Sequence, residues 1–384
     1  MKISLSPNII ELLFFYLFGV LYLQIIELIL PFTLTKFVFL IVLMVILINI
    51  LKKKFKANMS IFLITLGGII YLGIYLFTLK EIISYVYPPI MIAIISSLLL
   101  ENSPLYMKCI NWNSINKLIL IYLFINIIFF LLKIENCFQD AGVQQFKGFL
   151  PHTNMLGAIL ISLYLIIFWE KGIVAGTNKC LIVLLIFGTY SRTFIILLAM
   201  ILALQLLGIY QKKLPFVGKL IIAIIMLILI GYPLFKFMVT FVPTLARFRM
   251  HGFTGNGRQY LSEAYWNTIK DSNFADLILG VNLPKTYLKN IQIDFPHSFT
   301  ENSYMGILLI FGIGGAFFFL AILCKFLKQV CSTQTVCVVI VCMIPLLMQD
   351  ILLSVQTGIF YIFSVLCVIY QDPKRKKKIT YNKF

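Results

Sequence analysis

Long apolar runs alternate with polar segments along nearly the whole chain. They fall at about 9–30, 32–51, 60–79, 82–100, 118–133, 155–169, 180–190, 193–209, 219–241, 303–324, 334–348 and 351–370. A helix that crosses a bilayer needs about 20 predominantly apolar residues, each rising about 1.5 Å. The pattern predicts an all-α polytopic membrane protein of about 12 transmembrane helices, two of them short. The short pair flanks Arg192 in "LIFGTYSRTFIILLAM", the only charge between Lys179 and Lys212. The first run follows only Lys2 and is too long for the core of a signal peptide, so it is read as the first span.

The polar segments sort by charge. Lysine crowds into "KKKFK" (Lys52 to Lys56), "EKGIVAGTNK" (Glu170 to Lys179), "QKKLPFVGK" (Gln211 to Lys219), the Lys325/Lys328 pair and "PKRKKK" (Pro373 to Lys378). Short loops rich in Lys and Arg stay cytoplasmic. Twelve crossings put all of these segments, and both termini, on the cytoplasmic side. One helix over 180–209 would separate "EKGIVAGTNK" from "QKKLPFVGK". A helix pair that goes out and returns, with "TYSRT" at its tip, keeps them together. Each arm is short for a full crossing, so the tip lies at membrane depth. Backbone turns there only where protein or water surrounds it. Thr189, Ser191 and Thr193 supply hydroxyls for the freed backbone groups.

Two longer segments lie on the opposite, outer side: about Glu135 to Asn154, and about Thr244 to Asn302. Within the second, "GNGRQYLSEAYWNTIKDS" begins at Gly255 and predicts a helix of about four turns. Leu261, Ala264, Tyr265 and Ile269 would line one face, as in a helix lying in the membrane interface. The whole chain, 1–384, reads as one integral membrane domain. It comprises a span bundle over 1–243, an outer loop over 244–302, C-terminal spans over 303–370 and a basic cytoplasmic tail over 371–384.

Composition removes the alternatives. At 61% hydrophobic and 12% charged residues, the chain is too apolar for a soluble domain, which hides its core behind a polar surface. The formal net charge of +18 comes from 32 Lys and Arg against 14 Asp and Glu. Its location in short loops points to topology and contact with anionic membrane lipids, not to nucleic acid. Of the eight cysteines only Cys137 falls in a predicted outer segment, so no disulfide is expected. No CxxC pair, P-loop, GxSxG or nucleotide fingerprint is present, and no metal or other cofactor is expected.

The rare residues carry the functional signal. Apart from Arg375 in the tail, the arginines are Arg192, Arg247, Arg249 and Arg258, and the topology puts all four at or near the outer face. His152, His251 and His297 fall there too. Arginine suits phosphate because its planar fork gives two parallel charge-assisted bonds and keeps its charge when partly buried. An arginine within the membrane is functional by default. Arg258 would stand at a helix start, where free N–H groups also favour an anion. Histidine titrates near neutrality and accepts protons from hydroxyls. His297 and Glu301 are four apart, so on a helix they share a face as base and orienter; Glu301 equally suits a first helical turn. "RFRMHG" (Arg247 to Gly252) follows a span and suits either headgroups or a ligand, with His251 structural. His152 in "FLPHTN" suits either a loop contact or a substrate contact. Phosphate binders and a base at a membrane surface suggest chemistry on a lipid-linked phosphate.

Four segments, in order, resemble the O-antigen polymerase and ligase superfamily of bacterial membrane proteins. They are "FKGFLPHTNMLGAIL", "GTYSRTFIILLAM", "GRQYLSEAYWNTIKDSNFADLILGVNL" and "PHSFTENSYMGILLIFGIGG". The resemblance implies transfer of undecaprenyl-diphosphate-linked glycans at the outer face of the bacterial cytoplasmic membrane. By resemblance Arg192 and Arg258 match arginines that hold the diphosphate, and His297 matches the position that assists the acceptor hydroxyl. Lys147 stands where the family usually has arginine before the first motif, and with His152 and Asn154 it is expected to contact the substrate. "HSFTEN" departs from the His-Asn of many ligases and looks more like a polymerase of oligosaccharide repeat units, working beside a flippase and a chain-length regulator. A ligase that moves polymer to a lipid A core is the rival within the family. A transporter, the rival outside it, would show internal repeats and charges near the midplane along a path; here no repeat is visible and the rare charges gather on one face.

Overall fold

The computed structural model describes residues 111–140, 144–150, 152–210, 266–267, 269–280, 303–330, 332–343, 346 and 355–373. These residues are mostly helical. The helices are α1 (Trp112–Leu131), α2 (Thr153–Ile166), α3 (Ile173–Gly188), α4 (Arg192–Tyr210), α5 (Phe274–Leu279), α6 (Ser303–Lys328), α7 (Thr333–Met343) and α8 (Val355–Gln371). A two-stranded antiparallel hairpin, β1 (Phe138–Asp140) and β2 (Gln144–Phe146), lies between α1 and α2. Among the described residues α1 alone is long and apolar enough to cross a membrane.

Local chemistry explains the helix ends. Asn111 caps α1, its side-chain oxygen accepting from Ser114 N–H at 3.3 Å. That bond satisfies one of the free donors of the first turn. Gly172, at φ 111°, releases the chain into α3. The α3 helix stops at Gly188, and Tyr190 follows in the left-handed region at φ 53°. A non-glycine residue there is uncommon and holds only where its surroundings fix it. Thr189 is the fixing group. Its hydroxyl donates to Ile186 C=O at 2.7 Å and accepts from Ser191 N–H at 3.2 Å.

The expected helix pair around Arg192 is therefore present, with one correction. Its first arm begins at Ile173, not beyond Lys179, so most of "EKGIVAGTNK" is helix. The arms have 16 and 19 residues and are longer than the apolar runs suggested. Lys179 explains the difference. Its ammonium donates to the carbonyls of Phe168 and Glu170, both at 3.1 Å, just beyond the end of α2. A charge satisfied in this way does not end a helix. Thr193 likewise lies inside α4, not in the turn.

The buried core centres on α2, whose described side chains from Leu156 to Ile166 are buried on every side. A helix apolar all round belongs inside a bundle. It packs on α8, α3 and α4. Side-chain bonds fix the helix directions. Tyr164 on α2 donates to Gln205 on α4 at 2.6 Å, and Gln371 on α8 donates to Ile166 C=O at 3.0 Å. The ends of α2, α4 and α8 therefore meet, and the three run parallel. Asn178 on α3 donates to Asn116 C=O on α1 at 2.8 Å, and Gly188 abuts Phe130, so α1 and α3 also run together. Gln334 at the start of α7 reaches Leu204 C=O late in α4 at 3.4 Å. Tyr304 at the start of α6 reaches Met343 C=O at the end of α7 at 3.3 Å. One end of the bundle thus gathers the ends of α1, α3 and α7 with the starts of α2, α4, α6 and α8.

The α6 helix is bent at Gly312, which has φ 63° and ψ −166°. The carbonyl of Ile278, on α5, packs directly on that glycine, and Gly280 N lies 2.7 Å from where a Cβ would stand. The segment read as an outer loop thus packs its short helix against the tenth residue of α6.

Candidate functional site

Four of the predicted site residues are described, and all four stand at the same end of the bundle. They are Lys147, His152, Asn154 and Arg192. Arg247, Arg249, His251, Arg258, His297 and Glu301 lie outside the described residues. Of the predicted four-turn helix, Trp266, Asn267, Ile269 and Lys270 are helical, and Asp271 N–H still donates to Asn267 C=O at 2.9 Å.

The hairpin delivers Lys147. Phe138 and Phe146 pair across the strands, their rings 5.4 Å apart and edge to face. Both contact Phe130 near the end of α1, at 6.1 and 5.2 Å. Aromatic pairs of this kind contribute about 0.5–1.5 kcal/mol each beyond buried area. They fasten a hairpin whose strands are only three residues long. Lys147 continues its ladder, its N–H donating to Cys137 C=O at 2.9 Å. Burial pushes the Cys137 thiol up from its ordinary range, and the Lys147 charge partly opposes that shift. Gly148 follows at φ 59°, and a Cβ there would stand 2.7 Å from Asn126 Oδ1, so glycine is required twice over.

His152 and Asn154 open α2. The His152 carbonyl accepts from Met155 and Leu156 N–H at 3.1 and 3.3 Å, while its imidazole makes no capping bond and is exposed. Thr153 is buried and donates to Gln145 Oε1 at 3.3 Å. Asn154 is half-buried, and its Oδ1 accepts from Ser191 Oγ at 3.0 Å. Arg192, half-buried, is the first residue of α4. Two helix starts thus lie side by side, joined by the Ser191–Asn154 side-chain bond. Gly157 allows the approach: a Cβ there would meet the Phe194 ring, with Cγ at 2.8 Å.

Sequence reasoning did not single out Gln145. It sits in β2, nearly inaccessible, with its amide nitrogen unpaired among the described residues. Its only signal was a glutamine pair directly before Phe146. The arrangement offers two helix N-termini, a guanidinium, an ammonium and an exposed imidazole at one end, a combination suited to an anion. Comparison of the chain with family models, curated proteins and solved structures finds no match.

Proposed function

We propose that the chain polymerises undecaprenyl-diphosphate-linked oligosaccharide repeat units of a cell-surface polysaccharide. It does so at the outer face of the bacterial cytoplasmic membrane, as a protein of about 12 spans with both termini cytoplasmic. The observation that carries the reading is the break in the α3–α4 pair. It sets the lone arginine of an otherwise apolar stretch beside the start of α2, at the end where Lys147 and His152 also stand. The four sequence segments that resemble the O-antigen polymerase superfamily support the same reading.

In this mechanism Arg192 and Arg258, with Arg247 or Arg249 beside them, hold the donor diphosphate. Lys147, His152 and Asn154 line the same region. The bond from the anomeric carbon to the diphosphate oxygen breaks, and its electron pair leaves on the diphosphate. The arginines stabilise that growing charge, a preorganised electrostatic effect of the kind that often dominates catalysis. The acceptor hydroxyl of a second lipid-linked repeat attacks the same carbon, and His297, oriented by Glu301, takes its proton. A direct displacement inverts the anomeric centre. No cofactor takes part in these steps.

The polysaccharide of a deletion strain tests the reading. A polymerase defect leaves single repeats on the final lipid, whereas a ligase defect leaves long polymer unattached. Complementation with the wild-type chain restores long polymer, and Arg258→Ala does not. Long polymer at wild-type levels from Arg258→Ala would overturn the arginine role.

A further inference from the structure

The first turn of α2 is tied on both sides. Thr153 bonds to Gln145 of the hairpin at 3.3 Å, and Asn154 accepts from Ser191 at 3.0 Å. The hairpin carries Lys147 two residues beyond Gln145. Ser191 immediately precedes Arg192. The two cations therefore hang from two different parts of the chain, and the described side-chain bonds that join those parts to α2 at this end come from adjacent residues. The surroundings are stiff. Thr153, Gln145 and Ser191 are buried. Thr189 holds Ser191 N–H, and Cys137 holds Lys147 N–H.

We infer that Thr153 and Asn154 are positioning residues that set the spacing between Lys147 and Arg192 so that together they suit a diphosphate better than a single phosphate. This rests on the lipid-diphosphate reading above. It also gives Asn154 a different part from the substrate contact expected from sequence. Its carbonyl oxygen is used on Ser191, and it acts on the ligand through Arg192. A single phosphate needs only one cation and is indifferent to the spacing. A diphosphate spans both and is sensitive to it.

Undecaprenyl diphosphate, undecaprenyl monophosphate and undecaprenol are the probes, bound to the full chain in nanodiscs. The wild type is expected to bind diphosphate over monophosphate by about tenfold or more, the worth of one additional well-placed charged contact. Asn154→Ala, Ser191→Ala and Thr153→Val should each reduce that ratio toward one while monophosphate affinity changes less than about threefold, under half of that free energy. Ser191→Thr and Thr153→Ser keep the hydroxyls and should restore the ratio. A purely structural role lowers both affinities together and leaves their ratio intact, and that result overturns the inference while the lipid-diphosphate reading stands. A wild type that fails to distinguish diphosphate from undecaprenol overturns both.

Discussion

Gly157→Ala and Gly176→Ala are the same substitution, and the fold gives them opposite signs. Gly157 lies in the second turn of α2, where an added Cβ meets Cδ2 and Cγ of Phe194, the latter at 2.8 Å. Phe194 is fully buried and has little room to give. Overpacking of this kind costs about 1–3 kcal/mol. Alanine over glycine in a helix returns about 0.5–1 kcal/mol. The net expectation is a loss of up to about 2.5 kcal/mol, centred a little above ~1 kcal/mol, the difference of those two terms. Gly176 lies on an exposed part of α3 with nothing within 4 Å of its would-be Cβ, so only the propensity gain remains. The assay is the melting midpoint of detergent-solubilised protein by size-exclusion chromatography after heating. Gly157→Ala should lower the midpoint by several degrees and Gly176→Ala should raise it slightly. Phe194→Leu in the Gly157→Ala background should cost less than the sum of the single changes, because the leucine vacates the ring volume. A Gly157→Ala protein as stable as Gly176→Ala would refute the close α2–α4 approach, and with it the side-by-side helix starts.

Two further outcomes follow from the geometry. Gly312→Ala should be the most damaging change among the described glycines, because φ 63° with ψ −166° is open to glycine alone and the Ile278 carbonyl blocks a Cβ. Strain of this kind costs about 1–3 kcal/mol before any clash, and folded protein recovered after extraction reads it; normal recovery would contradict the α5–α6 contact. Cys137 should alkylate far more slowly than the exposed Cys180 at pH 8, as read by mass spectrometry of the two peptides. Burial holds the Cys137 thiol above its ordinary value, so the neutral form is favoured in the fold. The stability this gives is complete below the unfolded thiol's pKa and is lost as pH rises through the folded one. Lys147→Gln removes the opposing charge and should slow Cys137 alkylation further; an unchanged rate would separate Lys147 from Cys137.

The turn at Thr189 to Ser191 was legible because a single arginine in an apolar run and the loop charges around it demanded a reversal. The hydroxyls of Thr189, Ser191 and Thr193 were expected to satisfy freed backbone; Thr189 does so, Ser191 donates to the Asn154 side chain instead, and Thr193 lies within α4. The start of α3 was not legible. Lys179 looked like a loop charge, and only the meeting of α3 with the end of α2 supplies the two carbonyls that accept its protons. The hairpin was hidden for a different reason. Strands of three residues carry no readable alternation, and this hairpin is held by the Phe130 ring of α1. Gln145 was missed with it. The bend at Gly312 was not apparent, because glycines are common in apolar helices and its cause lies in Ile278, far away in sequence.

Polymer formation by the isolated protein tests the functional account most directly. The full chain is reconstituted in proteoliposomes with undecaprenyl-diphosphate-linked repeat units and a lipid A core acceptor, without added nucleotide sugar or metal. The account predicts a ladder of lipid-linked oligomers from the wild type, and single repeats only from Arg192→Ala and Arg258→Ala. Repeats left unextended by the wild type, or moved singly onto the lipid A core, would contradict it.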